Sequence, residues 1–167
     1  MSTKAEMAAR VAARHAEAAG SLKPASVFLA MTTKALGGGP ADNLDRVWAR
    51  LAPMDERLHA LPYGSAAAKD LKQSREVVAR ASDALRKQVE KAAARDFAKV
   101  FGGELKLRGA AIVELGSGWE KHSVLFSVFR RAGGEHYIQV GGLGVEGGVL
   151  SALKAAGYVV RDESRLR

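Results

Sequence analysis

Chemistry in this chain of 167 residues must come from histidines, carboxylates, hydroxyls and cations, because it contains no cysteine. That absence removes thiol nucleophiles, disulfide frameworks and cysteine-ligated zinc, and it fits a reducing compartment. His15 and His59 fall on expected helices far apart in sequence, whereas His122 and His136 fall near strand starts. This second pair can be drawn as neighbours across a hairpin, with Glu114, Glu120 and Glu135 close by, as a metal site or a general acid/base pair. Strand-end histidines mostly face solvent or are satisfied by their own partners, so no catalytic residue and no metal ligand is assigned. Neither Gly-x-Ser-x-Gly, His-Glu-x-x-His nor a phosphate-binding Gly-Lys-Ser/Thr loop occurs.

The cations carry a clearer pattern. Twenty-six Lys and Arg against 18 Asp and Glu leave a net charge of +8, the surplus expected of a protein that meets nucleic acid, an anionic membrane or an acidic partner. Residues 1–103 hold 17 basic and 11 acidic side chains and residues 104–167 hold 9 and 7, so the excess sits mainly in the first part. Lys87, Lys91, Arg95 and Lys99 recur every four residues, and at 100° per residue they share one broad helical face that can track a polyanion. Arg130 and Arg131 at an expected hairpin, and Arg10 and Arg14 near the start, can extend that footprint. A solvated helix face is the competing reading: Glu76 with Arg80 and Asp83 with Lys87 are opposite charges at i,i+4, and Glu90 and Asp96 dilute the field. Aromatic content is 6%, and Phe126, Phe129 and Tyr137 are assigned to the core, which disfavours sequence-specific recognition of single strands.

Two glycine-rich stretches imitate cofactor motifs. Gly142-Leu143-Gly144-Val145-Glu146-Gly147 follows an expected strand and opens an expected helix, with Asp162 twenty residues after its first glycine, the layout of a dinucleotide fingerprint. Only five residues remain beyond that Asp, too few for the parallel strands such a fold needs. Val113-Glu114-Leu115-Gly116-Ser117-Gly118 resembles the first motif of the Rossmann-type methyltransferases over six residues. It departs from that motif where the third glycine would be, at Glu120, and an antiparallel strand follows. No cofactor is therefore expected. The order helix, three strands, helix, strand is similar to that of the restriction-endonuclease-like nucleases. That resemblance implies an acidic residue on the second strand and Glu-x-Lys on the third, whereas Gln139-Val140-Gly141 stands there and the lone Glu-x-Lys is Glu104-Leu105-Lys106.

The elements that would position these residues follow two grammars. All four prolines lie within the first 62 residues, while 11 of the 18 glycines lie beyond residue 103. A Thr3–Glu6 capping box predicts a helix over 3–19. Pro24 starts a short helix through Val27, Phe28, Met31, Ala35 and Leu36, a third carries Leu44, Val47, Trp48 and Leu51 behind an Asp42 or Asn43 cap, and a brief fourth holds Leu58 and Leu61. From Ser65 to Phe101 no Pro or Gly intervenes, and Leu71, Val78, Ala81, Leu85, Val89, Ala93 and Phe97 predict one long helix. Its heptad d positions, among them Ser74, Gln88 and Arg95, are too polar for a committed zipper seam, so the preceding helices are expected to cover it, with self-association second. Beyond Gly103 the period becomes two: Leu105–Leu115, Lys121–Arg131 and Glu135–Val140 predict a three-stranded antiparallel meander, followed by a helix at about 147–156 and a last strand at Tyr158-Val159-Val160.

The expectation is an α+β protein with an N-terminal helical region (1–64), a long linking helix (65–103) and a C-terminal β-β-β-α-β unit (104–167) whose mostly antiparallel sheet carries one covering helix. Its leading function is non-catalytic nucleic-acid binding, to DNA or RNA, through Lys87, Lys91, Arg95, Lys99, Arg130 and Arg131, with a homo-oligomer through the long helix as an added option. A structural or adaptor module is the alternative and a metal-dependent nuclease-like enzyme the third. A cytoplasmic location, without cleaved leader or membrane partner, is expected because Glu6 and Glu17 interrupt the Ala-rich start and no apolar run resembles a secretory segment.

Overall fold

Side-chain chemistry sets where the helices begin. The computed structural model describes residues 3–34, 41–107, 109–116, 122–142 and 147–161. Glu6 N–H donates to Thr3 Oγ1 and Thr3 N–H to Glu6 Oε2, each at 3.1 Å, and this reciprocal cap opens α1 (Lys4–Ala19). Val11 and His15 stand on α1, but their side chains lie outside the description. After Pro24 comes α2 (Ala25–Leu29), shorter than expected; Thr33 then bridges antiparallel to Asp42, and Ala35 and Leu36 fall outside the described residues. Asn43 Oδ1 accepts from Arg46 N–H at 3.0 Å at the start of α3 (Leu44–Ala60).

The third and fourth expected helices are this single one, with Pro53 inside it. An interior proline costs a helix about 3 kcal/mol. Against that, Val47 and Leu51 are buried with Val78, and each such burial contributes roughly 1.5–3 kcal/mol. The Arg75 guanidinium also bonds Asp55, two residues past the proline. Packing outweighs the local break, which is why a reading from local signals divides the helix there.

Helix α4 (Ala66–Phe101) matches expectation: Ser65 Oγ accepts from Ala68 N–H at 3.2 Å, and Gly102 at φ 76° ends it in the left-handed conformation that glycine adopts without strain. The run Leu105–Leu115, expected as one strand, folds back on itself at Gly109 (φ 74°) into β1 (Glu104–Leu107) and β2 (Ala111–Leu115). Then follow β3 (His122–Arg130), β4 (His136–Gly142), α5 (Gly147–Ala155) and β5 (Val159–Arg161). The sheet order is β1-β2-β3-β4-β5, antiparallel except for the parallel β4–β5 pair, with β3 central as expected. The class is α+β, and the extra hairpin makes the C-terminal unit β-β-β-β-α-β.

One face of this sheet makes the core. Val113, Val124, Phe126, Val128, Ile138 and Val140 are buried against Leu85, Val89, Ala93 and Phe97 of α4, joined by Phe28 of α2 and Val149 and Leu153 of α5. Phe97 and Tyr158 pack on Phe126 at ring distances of 5.5 and 5.9 Å. The first half of α4 is covered by α3 around the smaller cluster of Val47, Leu51 and Val78. Strand alternation sends Ile112, Leu125, Ser127, Phe129, Tyr137 and Gln139 to the other face, where none is buried.

Candidate nucleic-acid interface

The four-residue spacing of the cations has a structural partner in the core. Leu85, Val89, Ala93 and Phe97 are also four apart, and each cation follows one of them by two positions, which is 200° around the helix. Both rows drift together, so Lys87, Lys91, Arg95 and Lys99 stay opposite the buried row along about 18 Å of α4, and all four are exposed. None of them forms an ion pair or hydrogen bond among the described residues.

The carboxylates expected to dilute this row are engaged elsewhere. Asp83 pairs with Arg86 at 3.5 Å rather than with Lys87, and no Glu76–Arg80 pair forms among the described residues. Glu90 Oε1 accepts from Val128 N–H at 3.2 Å and lies 3.8 Å from Arg86. That backbone group needs an acceptor because β2 ends at Ala111, opposite Phe126, leaving β3 unpaired on this side from Ser127 onward. Burial pushes the Glu90 carboxyl up from its ordinary value; the Val128 N–H bond, then Arg86 and Lys87, oppose the rise. Asp96 Oδ2 accepts from Lys23 N–H at 3.0 Å. Both acids thus serve backbone donors on either shoulder of the helix.

Each shoulder carries a shallow cleft. One, of about 240 Å³, lies between Lys87, Glu90 and Lys91 and the β1–β2 turn at Gly109, Ala110 and Ala111. The other, of about 380 Å³, is lined by Ser21, Lys23, Asp96, Lys99 and Val100. Lys23 therefore joins the row at the Lys99 end, an addition invisible in sequence because 73 residues separate Lys23 from Asp96.

Arg130 and Arg131 lie apart from this row and from each other in role. The Arg130 guanidinium carbon sits 3.7 Å from the Trp48 ring centre of α3 and its Nη1 donates to the Arg131 carbonyl at 3.1 Å. Beside it, Asp45 Oδ1 accepts from His136 N–H at 2.9 Å and faces His136 Nδ1 at 2.6 Å, so the β3–β4 hairpin is fastened to α3 by two neighbouring contacts. Arg131 turns the other way, over the Tyr137 ring at 5.1 Å. Arg10 and Arg14 are exposed on α1.

Among the described residues the alternative chemistries find no convergence. His122 and His136 stand at opposite ends of β3, with His136 in register with Arg130, so about 26 Å of strand separates them. Among the described residues no three His, Asp or Glu side chains gather as metal ligands. Glu104 and Lys106 pair with each other at 3.0 Å on the edge strand. The loop after β2 leads into antiparallel β3, while Ser117–Lys121, residues 143–146 and Asp162 lie outside the described residues. Phe126 is in the core as expected, but Phe129 is 46% exposed and Tyr137 half-buried, because β3 is apolar on both faces and the helices cover one of them. Among the described residues no helix is long and apolar enough to cross a membrane. No protein-family model matches the chain, and no curated protein or solved structure is significantly similar to it.

Proposed function

We propose that this protein binds nucleic acid without catalysing a reaction on it, chiefly through phosphate contacts made by Lys87, Lys91, Arg95 and Lys99. The observation that carries the reading is that these four exposed cations form one row on a rigid helix, while the nearest carboxylates are occupied by backbone N–H groups. A free row of this kind gives up little on meeting phosphates, since no internal pair must be broken first. Each phosphate neutralised on duplex DNA contributes about −0.9 to the slope of log affinity against log salt. Titrating a labelled duplex between about 50 and 200 mM salt tests this. Replacing all four cations by Gln is expected to weaken binding strongly at low salt and to flatten that slope by about 3 to 4. Equal behaviour of the variant and the parent would reduce the row to a solvated helix face and favour the adaptor reading. Arg131 contributes from a different surface, and Arg130 serves first to hold its hairpin on Trp48.

A further inference from the structure

We infer that the open face of the sheet is a second contact surface, one that takes unpaired bases of a single-stranded nucleic acid on the rings of Phe129 and Tyr137. The inference rests on the nucleic-acid reading above but on none of the four α4 cations that carry it. Phe129 is 46% exposed near the hairpin end of the central strand β3, where water contact forfeits about half of what burying a phenyl ring would contribute. Its cross-strand partner is Tyr137, with ring centres 6.1 Å apart and planes tilted by 36°, so the two rings lie side by side. The Arg131 guanidinium carbon is 5.1 Å from the Tyr137 ring centre, which sets a cation at the edge of the pair.

Register fills in the surroundings. Ser127, Gln139 and Val159 form the next row on this face, and Leu125, Gly141 and Arg161 the row after it. Hydroxyl and amide groups therefore stand beside the rings, with Arg161 exposed on the outer strand. Of the acids near this face, Glu104 and Glu114 lie on β1 and β2, with Glu104 already paired with Lys106, and Glu135 lines the same cleft as Arg131 and Tyr137. Among the described residues, the cations toward the aromatic end are Arg131, just past the end of β3 and with Glu135 beside it, and, two rows from the rings, Arg161 on β5. Rings for base faces, polar groups for base edges and cations for the backbone are the parts that sheet platforms use on single strands. A duplex does not suit them, because its bases are already stacked and paired. A protein partner suits them less well than an aliphatic face would, since Ser123, Ser127 and Gln139 interrupt the apolar positions.

The test uses the full chain and two fluorescein-labelled probes of about 12 nucleotides, oligo-dT and a mixed-sequence duplex, read by anisotropy. Changing Phe129 and Tyr137 together to Leu keeps apolar bulk on an exposed face and removes both rings. The proposal expects at least about a tenfold loss of oligo-dT affinity with duplex affinity unchanged, since one base–ring stack alone is worth that much. It also expects Tyr137→Phe to bind oligo-dT like the parent, because the ring and not the hydroxyl makes the contact. Unchanged oligo-dT binding by the double variant, or equal losses on both probes, overturns the platform while leaving the α4 row standing. A parent chain that binds neither probe overturns both readings.

Discussion

Glu90 puts an ionisable group where a strand would otherwise supply a carbonyl, and that position has a pH signature. Burial raises the carboxyl above its ordinary 4.5, so the folded chain holds the proton more tightly than the unfolded one. The stability tied to that proton is complete below 4.5 and is lost as pH rises through the raised value. At neutral pH the charged form therefore costs more than a neutral group of the same shape. Glu90→Gln keeps the oxygen that receives Val128 N–H and is expected to raise Tm at neutral pH by about 2–4 °C, with the gap closing below pH 4.5, as followed by circular dichroism. A parent more stable than the variant at neutral pH would show instead that Arg86 and Lys87 outweigh burial. At this scale the cationic row was legible, because a four-residue spacing fixes a helical face whatever packs behind it. The Asp45–His136 contact was not, since its partners are 91 residues apart. Nor was the exposure of Phe129: β3 alternates apolar side chains to both sides, and nothing local says on which side α4 lands.

Elements were readable where their ends are made by neighbouring residues. The Thr3–Glu6 box, the Ser65 cap and Gly102 sit beside the helices they bound, so α1 and α4 could be drawn to within about a residue. Errors arose where distant contacts overrode a local signal, as at Pro53, or where one glycine turned an apparently continuous strand, as at Gly109. Gly103 shows the same dependence on tertiary neighbours. A Cβ there would lie 2.5 Å from Val113 Cγ1, 2.8 Å from Leu115 Cδ2 and 3.0 Å from the Glu114 carbonyl oxygen. Helix α4 can enter the sheet at this point because the residue has no side chain. Gly103→Ala is expected to lower stability by about 1–3 kcal/mol in urea unfolding. Gly133→Ala, in the β3–β4 turn where a Cβ meets nothing within 4 Å, is expected to stay within about 0.5 kcal/mol of the parent.

Across the whole molecule, the cationic row and the aromatic pair occupy opposite outsides of two layers, with α4 and the sheet back to back between them. A net charge of +8 favours approach of a polyanion from either side. If both proposals hold, a labelled oligo-dT on the sheet is expected to stay bound when unlabelled duplex is added in excess at low salt. Mutual displacement would instead indicate one shared surface. The broad class was legible because a change of period from helical to alternating marks the passage from helices to sheet. That one side of the sheet has no covering helix among the described residues was not, because sequence periodicity reports which positions are apolar and not how many layers form. Such a bare sheet would ordinarily invite neighbouring molecules to add their own strands and grow into fibres. Among the described residues the rims are short, β1 having four residues and β5 three, and the unpaired end of β3 carries a carboxylate already seated on it. The protein can therefore keep a sticky, flat side available to solvent while remaining a poor seed for its own polymerisation.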